Sequence, residues 1–283
     1  MLNSDKPILV FQSDFTYAEG AVSSMYGVVM SVDRELQIFD GTHMIPRFDI
    51  WSASYRLYQS MPFWPTGTIY VSVVDPGVGT SRRACVARTC DGHVVITPDN
   101  GSLTHVLQKI GVKEVRQIDE RVNRLPSTRG TSVFAGRDVF GYTAARLASG
   151  IISWEEVGPA YPIDQIVTFD VPSPTATDCC VSGIVEICDP NFGNAWSNIG
   201  WEMLGQAGMG FGDQAHVRVA HQERIVFEQD VAIAQSFGHV PKGHPVLYCN
   251  EVMNVALALS QGDLCHTHGI GFGTEWAMRI EAR

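Results

Sequence analysis

The sequence predicts an α/β N-terminal domain with a mainly parallel sheet, followed by a smaller, mostly β, barrel-like C-terminal domain. Two observations predict it. Short apolar runs alternate with helix-period segments through residue 149, and strand-like runs with sparse helical signal follow the VPSPTATD stretch at 171–178. That proline- and threonine-rich stretch reads as a linker, so the expected domains span 1–170 and 179–283. A chain of 283 residues is long enough to give each domain its own core.

Taken in order, residues 8–12 form an apolar run that stops at Ser13 and Asp14, and 20–32 space small residues and methionines as a helix does. A second strand at 36–39 stops at Asp40, followed by a loop at 43–47 and an amphipathic stretch at 50–61. A strand at 68–74 stops at Asp75, and strands at 84–88 and 94–97 lead to a helix at 102–110. A further helix at 136–149 turns Phe140, Ala144, Ala145 and Leu147 inward. Beyond the linker, strand-like runs lie at 181–188, 216–220, 225–227, 246–249 and 276–280. There is no internal repeat and no low-complexity tract.

In a parallel sheet covered by helices, ligands bind beyond the carboxyl ends of the strands. Asp14, Asp40 and Asp75 all fall at such ends. Any one of them could simply cap a helix or form a turn, but three acids at one edge point to a site.

Composition narrows the partners. With 45% hydrophobic and 18% charged residues the chain is neither disordered nor fibrous, and no apolar stretch approaches the eighteen residues of a membrane span. A formal charge of -10, with no basic patch, repels nucleic acid and anionic lipid. The MLNSDKPILVFQSD start has neither the basic opening nor the long apolar segment of a signal peptide, so the expected compartment is the cytoplasm. The odd count of 7 cysteines, most of them in apolar runs, reads as reduced core residues.

DPGVGTSRR, at 75–83, has no lysine followed by Ser or Thr and misses the dinucleotide spacing, so nucleoside triphosphate chemistry is not indicated. What remains is a strand-end carboxylate, a glycine loop, and Arg82 seven residues on, able to turn back toward Asp75; the bland alternative is a plain turn with a surface ion pair. PDNG, at 98–101, offers Asp99 or Asn100 as a helix cap and Gly101 for a positive φ. NFGNAWSN, at 191–198, follows Asp189 and reads either as a platform that stacks a flat ring while amides bond its edges or as an ordinary polar turn. CHTH, at 265–268, has ligand-like spacing without a partner cluster, so no metal is expected. Neither GxSxG nor HExxH occurs.

SDF at 13–15, DPGVGT at 75–80 followed by Arg82 and Arg83, PDNG at 98–101, FAGRDVF at 134–140 and FGN at 192–194 occur in one order. Together they resemble the S-adenosylmethionine hydroxide adenosyltransferases, a family that includes the fluorinating and chlorinating enzymes. The resemblance covers nearly the whole chain, through the MRIEAR ending. It implies the same two-domain fold and a homotrimer whose sites lie between subunits. It also implies a small-molecule substrate, S-adenosylmethionine, attacked at its 5′ carbon by water or hydroxide to give adenosine and methionine, with no cofactor. Attack of hydroxide on a sulfonium annihilates two charges, so a dry pocket holding the nucleophile in line favours the transition state.

The hydrolytic branch of that family polarises its water with Asp, Arg and His. The first two carry over to Asp75 and Arg82; the third does not, because VFAGRD stands where the family has TFHGRD and puts Ala135 in the histidine's place. For binding, the resemblance implies that Asp14 takes the ribose hydroxyls, Asn194 reads the adenine edge with Phe192 and Trp196 in the same loop, Phe237 stacks on adenine, and Asp189 faces the methionine ammonium. Glu19 and Glu251 fall where halogenating members carry an aspartate and a serine, facing the methionine portion. The short stretch between Arg83 and Val94, and Ala135-Gly136 in place of a Tyr-Ser pair, leave no donors for a halide. Hydrolysis is therefore the first expectation; a halogenase and a non-catalytic binder of S-adenosylmethionine or adenosine are the alternatives.

Overall fold

The computed structural model describes residues 6–283; the start of the N-terminal segment considered above for a leader, residues 1–5, lies outside them. The chain divides into two compact units between Phe169 and Asp170.

The N-terminal unit holds strands β1 (Leu9–Ser13), β2 (Ile38–Thr42), β3 (Ile69–Val73), β4 (Ala84–Thr89), β5 (Val94–Pro98), β6 (Val112–Gln117) and β7 (Ala160–Tyr161). Its helices are α1 (Ala21–Val32), α2 (Ile50–Ser60), α3 (Thr104–Lys109) and α4 (Tyr142–Ala148). The sheet order is β2-β1-β3-β5-β4-β6-β7. The β2-β1-β3-β5 half is parallel, whereas β4 runs antiparallel to both neighbours and β7 antiparallel to β6. Burial on both faces explains why β1 and β3 read as continuous apolar runs. Leu9 and Phe11 join Met25, Val29 and Phe140 in one core cluster, while Val10 and Tyr70 join Leu57, Leu103 and Val106 in another. Each such fully buried side chain contributes about 1.5–3 kcal/mol. At the start of α2, Asp49 caps the helix by accepting the Ser52 amide at 2.9 Å.

The helix expected at 136–149 is not regular. Gly136–Gly141 form a turn of π-helix that passes into α4. The close approach explains the glycine, because a Cβ at Gly136 would sit 3.2 Å from both Val73 and Phe134 and 3.3 Å from Met25. Phe140, Ala144 and Ala145 are buried as expected, and Leu147 is half-buried against the same core.

The C-terminal unit is a closed barrel of β9 to β15 with β8 on its flank. After β8 (Thr175–Ala176) come β9 (Cys180–Cys188), β10 (Ala195–Gly200), helix α5 (Trp201–Gln206), β11 (Gln214–His221) and β12 (Arg224–Ile233). Next are β13 (Pro245–Cys249), β14 (Asn254–Leu259), helix α6 (Leu264–His268) and β15 (Trp276–Ala282). The order is β10-β14-β13-β12-β11-β15-β9-β8, and pairing of β10 with β9 closes the seven-stranded ring, leaving only the two-residue β8 as an edge. Val185, Val217, Phe227, Leu247, Leu257 and Ile280 fill the interior. Within 171–178, Thr175 and Ala176 pair with β9.

The cysteines depart from expectation in part. All seven are free, but Cys90 and Cys179 are exposed; only Cys85, Cys180 and Cys265 are buried. Among the described residues no helix is long and apolar enough to cross a membrane, and no group of three His, Cys, Asp or Glu is placed to hold a metal. The CHTH segment forms α6, whose N-terminus Asp263 caps by accepting the His266 amide at 2.7 Å.

Candidate functional site

β3 ends at Val73, and the chain turns at once, with the Val78 amide bonded to the Asp75 carbonyl at 3.2 Å and the Thr80 amide to the Gly77 carbonyl at 3.1 Å. This double turn brings Arg82 back onto Asp75. Nε of Arg82 donates to the two carboxylate oxygens at 3.0 and 3.1 Å, and Nη2 also donates to Oδ2. The pair is shielded, with side chains 13% and 5% exposed. Charge-assisted bonds of this fork geometry fix a carboxylate in orientation as well as in place. The Arg82 guanidinium lies over the Phe140 ring, 5.3 Å from its centroid. Asn100, in PDNG, supports the same strand end by donating to the Val74 carbonyl at 3.0 Å, and Gly101 takes a φ of 111°. Asp99 is buried and accepts from Arg83 Nε at 2.8 Å.

Asp75 and Asp14 line one cleft of about 440 Å³, together with Phe15, Arg47, Phe48, Val73, Val78 and the wall 133–136. Asp14 follows β1, and its Oδ2 accepts the Phe48 amide at 2.8 Å. Phe48 adopts a φ of 67°, which turns that amide inward while its ring stays exposed. Phe15 meets Phe134 edge-on at 5.6 Å, and Ala135 is buried in the wall. Arg82 does not line the cleft; it reaches it through Asp75. Glu19 is exposed ahead of α1 and does not line it either. Asp40, expected at a strand end, lies inside β2 and accepts from Tyr17 and Tyr26 instead.

In the C-terminal unit a tight loop joins β9 to β10. Oδ1 of Asp189 accepts the amides of Asn191 at 2.8 Å and Phe192 at 3.2 Å, so this carboxylate shapes its own turn. Gly193 takes a φ of 66°, and its carbonyl accepts the Cys265 amide at 2.9 Å. Asn194 is buried, whereas Phe192 is 70% exposed. Trp196 is not a loop residue: it sits in β10, 7% exposed, and donates Nε1 to the Tyr248 hydroxyl at 2.9 Å. The Phe237 ring lies 4.7 Å from that of Tyr248. Burial pushes the Tyr248 phenol up to about 12, with the Asp189 and Glu251 charges adding to the rise and bonds with Trp196 and Asn194 opposing it. Asp189, Asn194, Trp196, Phe237 and Glu251 thus gather around Tyr248, which sequence reasoning passed over as an ordinary strand residue. It also missed Phe48, whose contribution is a backbone amide.

Two family models match this chain, the S-adenosylmethionine hydroxide adenosyltransferase N-terminal domain over residues 9–158 and the corresponding C-terminal domain over 183–277. A fluorinase of Actinoplanes sp. (strain N902-109) is 26% identical, covering 94% of this chain and 95% of its own. An (R)-S-adenosyl-L-methionine hydrolase of Salinispora arenicola is 29% identical over 90% of this chain and 91% of its own. Among solved structures, an uncharacterized conserved protein from Thermotoga maritima superposes with a TM-score of 0.87 at 29% identity, covering 98% of this chain and 100% of that one.

Proposed function

Since the chain belongs to the S-adenosylmethionine hydroxide adenosyltransferase family, we propose that it is an adenosine-forming S-adenosylmethionine hydrolase. The observation that carries this reading is the Asp75 carboxylate, locked by Arg82 and facing the same cleft as Asp14. Relatives named as hydrolases from Salinispora arenicola and Thermus thermophilus support it.

In the proposed reaction Asp14 binds the ribose hydroxyls through Oδ1, its Oδ2 being held by the Phe48 amide. Asp75 accepts a hydrogen bond from one water and aims its oxygen at the 5′ carbon. The carbon–oxygen bond forms as the carbon–sulfur bond breaks, the electron pair goes to sulfur, and the water proton passes to Asp75. Arg82 keeps the carboxylate from rotating, so its orientation is in place before the transition state. Phe15, Val73, Val78 and Ala135 line the cleft with apolar surface, which disfavours competing water beside the reacting atoms. Asn194 and Phe237 take the adenine, with Phe192 as a covering ring and Trp196 bracing Tyr248. Asp189 and Glu251 face the methionine portion, and Glu19, outside the cleft, takes no part in this scheme. No cofactor enters this scheme, and a homotrimer brings the two half-sites together across subunits. Light scattering tests the last point, with a mass three times the 31.0 kDa of the chain expected.

Ala135 favours one rival reading, in which the cleft binds S-adenosylmethionine or adenosine without turnover. The fluorinase relative favours another, a halogenase. Incubation with S-adenosylmethionine and chromatography separates the three. Adenosine and methionine are expected; their absence at high protein concentration with saturable calorimetric binding supports the binder, and 5′-halo-adenosine formed with chloride or fluoride supports the halogenase. Ala135→His adds the imidazole and is expected to raise hydrolysis about tenfold or more.

A further inference from the structure

Beside Asp14 begins a polar chain that the reaction above does not use, running from the buried Ser13 and His43 through half-buried Tyr26 to Asp40 at the surface. Ser13 Oγ is 2.7 Å from Nδ1 of His43, Nε2 of His43 is 2.9 Å from the Tyr26 hydroxyl, and Tyr26 donates to Asp40. Tyr17 donates to the other Asp40 oxygen at 2.5 Å. Hydrogen counting gives this chain one direction. An ionised carboxylate only accepts, so the single phenolic proton of Tyr26 is committed to Asp40. The contact between Tyr26 and His43 must then be donated by Nε2–H. A neutral imidazole has one N–H, which leaves Nδ1 to accept from Ser13. The Ser13 oxygen in turn accepts the Phe15 amide at 3.2 Å.

We propose that Ser13, His43, Tyr26 and Asp40 form a directional hydrogen-bond relay that holds the turn carrying Asp14, making His43 a positioning residue for the ribose of the bound ligand. The proposal rests on the reading of Asp14 as the ribose-binding carboxylate. Its geometric basis is that the turn is tied to His43 on both sides of Asp14. Ser13 meets the imidazole, and the Thr16 amide donates to the His43 carbonyl at 2.8 Å, with Thr16 held at a φ of 58°. Five residues past His43, the Phe48 amide takes the Asp14 carboxylate itself.

The groups facing the imidazole fit its neutral state. They are Ser13 from β1, Tyr26 from α1, Asp40 from β2, whose Oδ1 is 3.4 Å from Nε2, and the Tyr17 ring edge-on at 5.3 Å. Burial pushes the His43 pKa below its ordinary value despite the opposing Asp40 charge. Burial raises the Asp40 carboxyl, but the bonds from Tyr17 and Tyr26 outweigh it and hold the group low. Protonating Nδ1 would reverse the bond to Ser13 and leave the serine proton without its acceptor.

The test uses the full chain and adenosine as the probe. Tyr26→Phe keeps the ring and removes the relay hydroxyl; Ser13→Ala removes the other end. Calorimetry is expected to show adenosine binding weakened about tenfold in each, with KM for S-adenosylmethionine rising by more than kcat falls. A purely structural role would lower the melting temperature and leave the dissociation constant within twofold of wild type, and that result overturns the proposal. Should a variant fail to fold, nitrogen-15 NMR of the wild-type histidines decides: His43 protonated on Nε2 at neutral pH is expected, and an Nδ1–H tautomer or an imidazolium overturns it. Failure of the wild type itself to bind adenosine overturns the ribose reading of Asp14, and the proposal with it; it is distinguishable because the unmutated protein shows it.

Discussion

In the N-terminal unit the Asp75 carboxylate is gripped by a guanidinium seven residues away, whereas in the barrel the Asp189 carboxylate is gripped by amides two and three residues away. The first arrangement uses a full opposite charge to orient an acid toward a cleft. The second uses the acid to shape a loop, leaving Phe192 turned outward and Asn194 buried beside Tyr248. Under the proposed hydrolysis this difference becomes a division of labour, the fixed carboxylate serving the reacting atom and the loop serving recognition. Measurements that separate kcat from KM test that contrast.

The largest effect is expected at Asp75. Asp75→Asn keeps the shape but removes the charge, so kcat should fall by about 10²–10⁴ while KM moves little. Asp189→Asn should do the reverse. Steady-state kinetics on both variants checks the pair, and a shared pattern would dissolve the contrast.

Next in size is Gly193→Ala. A Cβ there would fall 1.8 Å from Oδ1 of Asp263, at a φ of 66° that side chains resist. The loop and the start of α6 must both shift, at a cost of about 2–3 kcal/mol, read by urea unfolding. Phe192→Ala should be milder. An exposed ring that covers a ligand contributes about 1 kcal/mol, so affinity should drop about fivefold by calorimetry with stability unchanged.

The fold was legible where one strand carried one signal. β1 and β3 are buried on both faces and read as apolar runs ending at Asp14 and Asp75. The Asp75–Arg82 contact was legible because it is local, a glycine turn returning the chain within seven residues. Other features carry no mark in the sequence. β10 is hidden in AWSNIG, whose polar side chains are satisfied inside the barrel, as Ser197 shows by donating to the Val255 carbonyl at 2.7 Å. The π-helical turn depends on Val73 and Met25, far away in sequence. The Asp14–Phe48 contact is made by a main-chain amide, which any residue type supplies. Asp40 reads as a strand-end acid, yet its bonds to Tyr17, ahead of α1, and to Tyr26, within α1, appear only once the chain is folded.

A pH response should also differ between the units. His105 is buried in the N-terminal unit, and burial, aided by Lys109, lowers its pKa from 6.5 to about 3. The unfolded chain takes up that proton at higher pH than the folded one, so stability is lost as pH falls from 6.5 toward 3. His43 acts with the same sign. In the barrel, bonds to Asp230 and Glu228 raise the pKa of His216, so its contribution is present in acid and lost as pH rises through the raised value. Hydrogen exchange followed by peptide mass spectrometry should therefore show the N-terminal unit opening first on acidification. His105→Gln should flatten its response, and equal sensitivity of both units would refute the contrast.

A crystal structure with adenosine bound tests the role of Asp75 most directly. The 5′-hydroxyl is expected within hydrogen-bond distance of the Asp75 carboxylate, with the two ribose hydroxyls on Asp14. Adenosine bound with its 5′ end turned away from Asp75, or seated outside this cleft, would contradict it.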